Sequence, residues 1–96
     1  MYLFLVQSGI HQTVDTLLST RQVNVDYCDA DGFSALEIAV DRGDVEMVKV
    51  LIKHGASVQN ERLEYLSSLA LARGEGGKEI ANLVLLEAKR RKNENA

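Results

Sequence analysis

Apolar positions between residues 35 and 52 recur at helical spacing and are interrupted once. Leu36, Ile38, Ala39 and Val40 precede the polar Asp41-Arg42-Gly43-Asp44, after which Val48, Leu51 and Ile52 share one helical face. The local chemistry agrees with two short helices. Asp31-Gly32 is a turn dipeptide. Ser34, followed three residues on by Glu37, is a capping box that satisfies two orphan donors at a helix start. Gly43 stops the first helix, Asp44 places an acid at the positive end of the second, and Gly55 ends it. Residues 29–58 are therefore expected to run turn, helix, tight loop, helix, turn. Each helix is about ten residues or shorter, below the length that persists alone in water. Such helices must be stacked on something.

The chain supplies copies. Downstream, Leu36 maps to Leu69, Ala39 to Ala72, Gly43 to Gly76, Met47 to Ile80 and Leu51 to Val84, each 33 residues on. Upstream, Gly43 maps to Gly9, Val48 to Val14, Leu51 to Leu17 and Ile52 to Leu18, each 34 residues back. The extra residue falls in the loop between Leu18 and Val25, where it is thermodynamically cheap.

This pattern resembles the ankyrin repeat family. The family motif is a turn, a Thr-Pro-Leu-His-x-Ala helix start, an internal Gly, a Val-x-x-Leu-Leu stripe and a closing Gly-Ala, repeated about every 33 residues. Here Ser34-Ala35-Leu36-Glu37-Ile38-Ala39 takes the first place and Gly43 the second, with Val48 to Ile52 the stripe and Gly55-Ala56 the close. Ser34, Ala35 and Glu37 depart from the family's Thr, Pro and His, and the capping box of Ser34 and Glu37 replaces the family's Thr–His hydrogen bonding. The resemblance implies an all-α solenoid of helix-turn-helix units joined by short hairpin-like loops. Its repeats are expected over about 1–24, 25–58 and 59–92, as one domain of residues 1–92 with a disordered tail over 93–96.

The outer repeats are expected to diverge. Residues 1–6 form an apolar run too short for a signal peptide or a membrane span. At the 34-residue offset Tyr2 stands for Leu36 and Leu5 for Ala39, so the run is a first helix without its turn. Either a partner or further chain covers it, self-association included, or its side chains are already buried in the stack. In the third repeat Arg62 and Tyr65 stand where Asp29 and Gly32 would be, so its helix is expected to start early, near Glu61 or Leu63. A loop over 73–77 should precede a last helix over 78–92, ending in Lys89-Arg90-Arg91-Lys92 as a polar cap.

Composition narrows the class. Ninety-six residues, 46% of them apolar and 26% charged, suit one small soluble domain. A net charge of −3 disfavours nucleic acid. The lone Cys28 has no internal disulfide partner, which favours a reducing, intracellular setting, cytoplasmic or nuclear.

Candidate chemistry mostly fails. An EF-hand reading of Asp29-x-Asp31-Gly32 puts Tyr27 and Ile38 at essential oxygen positions. A phosphate-loop reading of residues 74–78 meets Ala72 and Glu79 where Gly and Ser or Thr are needed. His11 and His54 lack partners at metal-ligand spacing, and the acids around Cys28 suppress a thiolate. No catalytic residue, metal or cofactor is expected.

What remains is surface. The resemblance implies that a partner protein is held by the finger tips and the exposed face of the first helices. By position these are Tyr27, Asp29, Ala30, Asp31, Phe33, Asp41 and Arg42, with Leu63, Glu64, Tyr65, Leu66, Gly74 and Glu75 from the third repeat. Phe33 and Tyr65 are either contacts or packing residues. Asp26, Asp29, Asp31 and Asp41 serve no predicted helix and would steer a basic partner. The alternative is contact of residues 89–92 with nucleic acid or an acidic membrane.

Overall fold

The computed structural model describes residues 2–94. Six helices follow one another: α1 (Tyr2–Gln7), α2 (His11–Ser19), α3 (Ala35–Arg42), α4 (Val45–Lys53), α5 (Glu61–Leu71) and α6 (Glu75–Glu94). Among the described residues there is no strand, only an isolated antiparallel bridge between Cys28 and Ser34 at the base of a finger loop. The architecture is an all-α repeat fold, as the spacing predicts.

Cap chemistry sets the helix starts. Ser34 Oγ accepts from the Glu37 amide at 3.3 Å, and Glu37 Oε1 accepts from the Ser34 amide at 3.2 Å. Asp44 accepts from the Met47 amide and Asn60 from the Leu63 amide. Gly43 closes α3 at φ 74°, a left-handed conformation open to glycine without a Cβ penalty. Arg21, at the position of Gly55 in the first repeat, adopts a φ of 58° although it carries a side chain.

The helices form two rows. First helices stack as α1 on α3 on α5, and second helices as α2 on α4 on α6. Every residue of α3 from Ala35 to Val40 is buried, because this helix is covered on both sides. Val6, Val14, Leu36, Met47, Leu51, Leu63 and Ile80 fill one continuous core. Polar side-chain contacts stitch the second row: His11 Nε2 lies 2.8 Å from Asp44 Oδ1, His54 Nε2 2.5 Å from Asp15 Oδ1, and Lys49 Nζ 3.3 Å from Glu79 Oε1. In the first repeat, Tyr2 and Val6 are buried, Leu3 and Leu5 pack partly against the core, and Phe4 is 64% exposed.

The third repeat departs from the expected register. Helix α5 starts at Glu61, as its degraded turn predicts, so the finger of this repeat is replaced by helix. Its buried positions are Leu63, Ser67 and Ala70, whereas Leu69 and Ala72 are exposed. Ser67 and Ala70 stand 31 residues after Leu36 and Ala39, not 33. The left-handed glycine is correspondingly Gly74, at φ 105°, in place of Gly76. Helix α6 keeps the offset of 33, with Ile80 and Val84 buried. The two-residue difference falls between α5 and α6, and α6 starts three residues early, at Glu75 instead of 78, so the loop expected over 73–77 is mostly helix. At its other end α6 continues through Asn93 to Glu94, two residues past the domain end set at 92, and the remainder of the expected tail lies outside the described residues.

Candidate protein-binding face

The finger of the middle repeat is built by Asp29. Its Oδ1 accepts from the amides of Asp31 and Phe33, both at 2.9 Å, and its carbonyl accepts from the Gly32 amide at 3.0 Å. Asp26 Oδ1 accepts from the Ser57 amide at 2.8 Å and so ties two successive connections together. These two acids serve no helix, as expected, but they hold loop backbone, a duty the sequence reading did not assign them. Asp31 and Asp41 remain exposed.

Phe33, fixed by that turn, is half-buried and meets Arg62 from α5. The Arg62 guanidinium lies 4.5 Å from the ring centroid, its Nη1 donates to the Gly32 carbonyl at 2.9 Å, and its Nε is 3.5 Å from Glu37 Oε2. Arg73 Nη1 donates to the Asp41 carbonyl at 2.6 Å, and its Nη2 stands 3.9 Å from the Asp41 carboxylate. Two arginines of the third repeat thus reach back onto the middle one. Sequence reading marked Arg62 only as a loss of the turn acid.

A cleft of about 430 Å³ opens between α1 and α3, beneath the finger. It is lined by Gln7, Asp29, Phe33, Ile38, Asp41 and Arg42. Four of these, Asp29, Phe33, Asp41 and Arg42, were expected at a binding face; Gln7 and Ile38 were not. Gln7 had a signal, since it stands 34 residues before Asp41 and so shares its register.

The other expected residues disperse. Tyr27, Ala30 and Asp31 are exposed on the finger. Leu63 is fully buried in the core, because the helix that replaces the third finger turns it inward, and its side chain cannot meet a partner. Leu66 is half-buried against the same core, and Tyr65 is 65% exposed on α5. Glu64 borders a different groove, of about 620 Å³, between α5 and α6, with Asn60, Leu85, Lys89 and Lys92. Gly74 and Glu75 form the exposed turn into α6.

Groups whose titration the fold moves serve the stack. Burial, aided by the Asp26 charge, pushes the Tyr2 phenol well above its usual range while its hydroxyl donates to the Val25 carbonyl at 3.0 Å. The hydrogen bond from His54, with help from Lys53, holds Asp15 below the ordinary carboxylate value. Glu79 and Glu46 raise Lys49, and Arg90 and Arg91 lower Glu87. Among the described residues, no three His, Cys, Asp or Glu side chains gather closely enough to hold a metal ion. No helix among them is long and apolar enough to cross a membrane.

Stacked helix pairs, a capped turn beneath the middle finger and a cleft on the first-helix row define a repeat-type helical scaffold. The family model for ankyrin repeats, in three copies, matches residues 3–96, and the chain belongs to that family. It is 31% identical over 85 residues to protein phosphatase 1 regulatory subunit 27 of Mus musculus, covering 88% of this chain and 55% of that one. The Homo sapiens protein of the same name matches with the same identity and coverage. Ankyrin repeat domain-containing protein 13D of Mus musculus is 35% identical over 57 residues, 59% of this chain and 9% of that protein. The chain thus spans about half the length of the phosphatase subunits and a small part of the third relative. No solved structure matches it significantly.

Proposed function

We propose that this chain is a non-catalytic protein-binding module with a regulatory or adaptor role. It engages a partner protein through the finger of the middle repeat and the cleft beneath it. The observation that carries this reading is the cleft itself, which joins an aromatic ring held in place by Asp29 to the exposed acid Asp41, with Asp31 exposed on the finger above it. Membership of the ankyrin family supports protein binding in general, and the name of the phosphatase regulatory subunit supports a regulatory role, with a phosphatase catalytic subunit among the partners to test first. Contact with nucleic acid or an acidic membrane through residues 89–92 is the weaker reading. Glu87 already pairs with Arg90 and Arg91, and Arg91 also donates to the Ala56 carbonyl.

Asp31→Lys/Asp41→Lys is the informative variant, because both side chains are exposed and neither builds the finger turn. Partner capture from lysate, identified by mass spectrometry, should fall strongly in this variant and lose most of its salt dependence. Unchanged capture would remove the acidic face from the reading. A low-salt gel shift with duplex and single-stranded DNA and RNA should show no complex.

A further inference from the structure

We propose that the cleft between α1 and α3 receives one long basic side chain, arginine or lysine, from the partner. This rests on the protein-binding reading and names the chemistry that the site selects. Three kinds of wall meet there. Ile38 and Phe33 supply apolar surface for an alkyl stem. Asp29 and Asp41 supply carboxylates for a cationic head. Gln7 adds an amide at the α1 side.

The one cation in the lining does not neutralise these acids at close range. Arg42 Nη2 and Asp44 Oδ2 both lie beside Gly9, 3.6 and 3.5 Å from where a Cβ on that residue would stand. The guanidinium therefore reaches the α1–α2 turn at Gly9, away from the finger. An acidic partner residue would meet two carboxylates. An apolar one would strip water from them without replacing it.

The fold contains its own precedent for the recognition. From the α5 side, the Arg62 guanidinium stacks over Phe33 and Arg73 approaches Asp41. Ring and carboxylate are thus each already matched to a guanidinium, one side removed from the cleft. Asp29 spends Oδ1 on the turn amides of Asp31 and Phe33, which aims the carboxylate and holds it without tying up both of its oxygens.

The test uses the intact chain, labelled with nitrogen-15, and four blocked alanine pentapeptides with a central arginine, lysine, norleucine or glutamate. Arginine and lysine peptides should give saturable shifts at the amides of Gln7, Phe33, Ile38 and Asp41, with Kd on the order of 1 mM. Norleucine and glutamate peptides should give none there. Asp41→Asn, an exposed and isosteric change, should weaken the arginine peptide by about two- to fivefold while the rest of the spectrum stays in place. The proposal is overturned if norleucine shifts the same amides as strongly, if arginine shifts fall only on other surfaces, or if no saturable shift occurs at millimolar peptide. In that last case, retained sensitivity of partner capture to Asp31→Lys/Asp41→Lys keeps the protein-binding face and removes only the basic slot. Loss of both results removes the two together.

Discussion

At the residue scale, two adjacent glycines of α6 have opposite tolerances. A Cβ on Gly77 would stand 1.9 Å from the Ala70 carbonyl oxygen and 2.8 Å from its carbon, so α5 must move or α6 must tilt. A Cβ on Gly76 would meet nothing nearer than Val45 Cγ2 at 3.8 Å, an ordinary contact. Gly77→Ala should therefore destabilise by about 1–3 kcal/mol, the range for overpacking a tight contact. Gly76→Ala should be neutral or gain up to about 0.5 kcal/mol from helix propensity. Urea unfolding of the two variants checks this, and equal losses would show that the α5–α6 approach is not what Gly77 serves. The spacing singles out Gly76, as the counterpart of Gly43, and passes over Gly77, and both read as loop until the register of α5 is known. The same holds for Leu63, whose type suits a surface contact or a core position equally, and whose burial follows from helix replacing the finger.

At the scale of elements, the stack is held by apolar contacts and by charges that cross from one repeat to the next. Arg62 is the clearest crossing. Arg62→Ala removes the donor to the Gly32 carbonyl, the cation over Phe33 and the nearest counter-charge to the buried Glu37 Oε2. Since the Arg62 side chain is itself 45% exposed, solvent screens much of its charge, and the expected loss is about 1–2 kcal/mol. Glu37→Gln keeps an acceptor for the Ser34 amide and removes the charge, so Arg62→Ala should cost less in that background. A thermal double-mutant cycle should give a coupling of at least about 0.5 kcal/mol, and strict additivity would break the proposed link. A second crossing has a pH signature. Asp15 has a folded pKa held below its unfolded value by His54, so its contribution is whole above the unfolded value of about 4 and is lost as pH falls through the folded one. Asp15→Asn should therefore lose less stability between about pH 5 and pH 3 than the native chain does, followed by circular dichroism during acid titration. Parallel acid limbs would exclude the pair as a contributor. These crossings were invisible along the chain. His54 at a helix end had a local explanation in the dipole, and only the stacking of α2 on α4 brings Asp15 to it.

On the scale of the whole molecule, the middle repeat has neighbours on both sides and the outer two have one each. The main packing between the first repeat and the third passes through α3 and α4, so a cavity in the middle should weaken the entire chain at once. Met47 is fully buried, and Met47→Ala is expected to cost about 2–5 kcal/mol and to lower a single, shared unfolding transition. Coincident transitions by circular dichroism and by amide signals from α1 and α6 would support that; a surviving signal from either end would refute it. Apolar side chains remain exposed toward both ends, with Phe4 and Ile10 in the first repeat and Leu71, Leu85 and Leu86 in the third. The basic run does not make α6 the wholly polar cap that its charges suggest.

Sequence alone determined the repeat, the helix pairs, their caps and the early start of α5, because capping boxes, turn glycines and apolar periodicity act over a few residues at a time. Through the resemblance to ankyrin repeats it also pointed to Asp29, Phe33, Asp41 and Arg42, which line one cleft. Tertiary structure alone decided the 31-residue register of α5, the burial of Leu63, the arginine contacts on Phe33 and Asp41, and the inclusion of Gln7 and Ile38 in the cleft. These depend on distances between residues about 30 apart in the chain. Such distances are set when whole helices choose the depth at which they pack, and side-chain volume at the contact makes that choice.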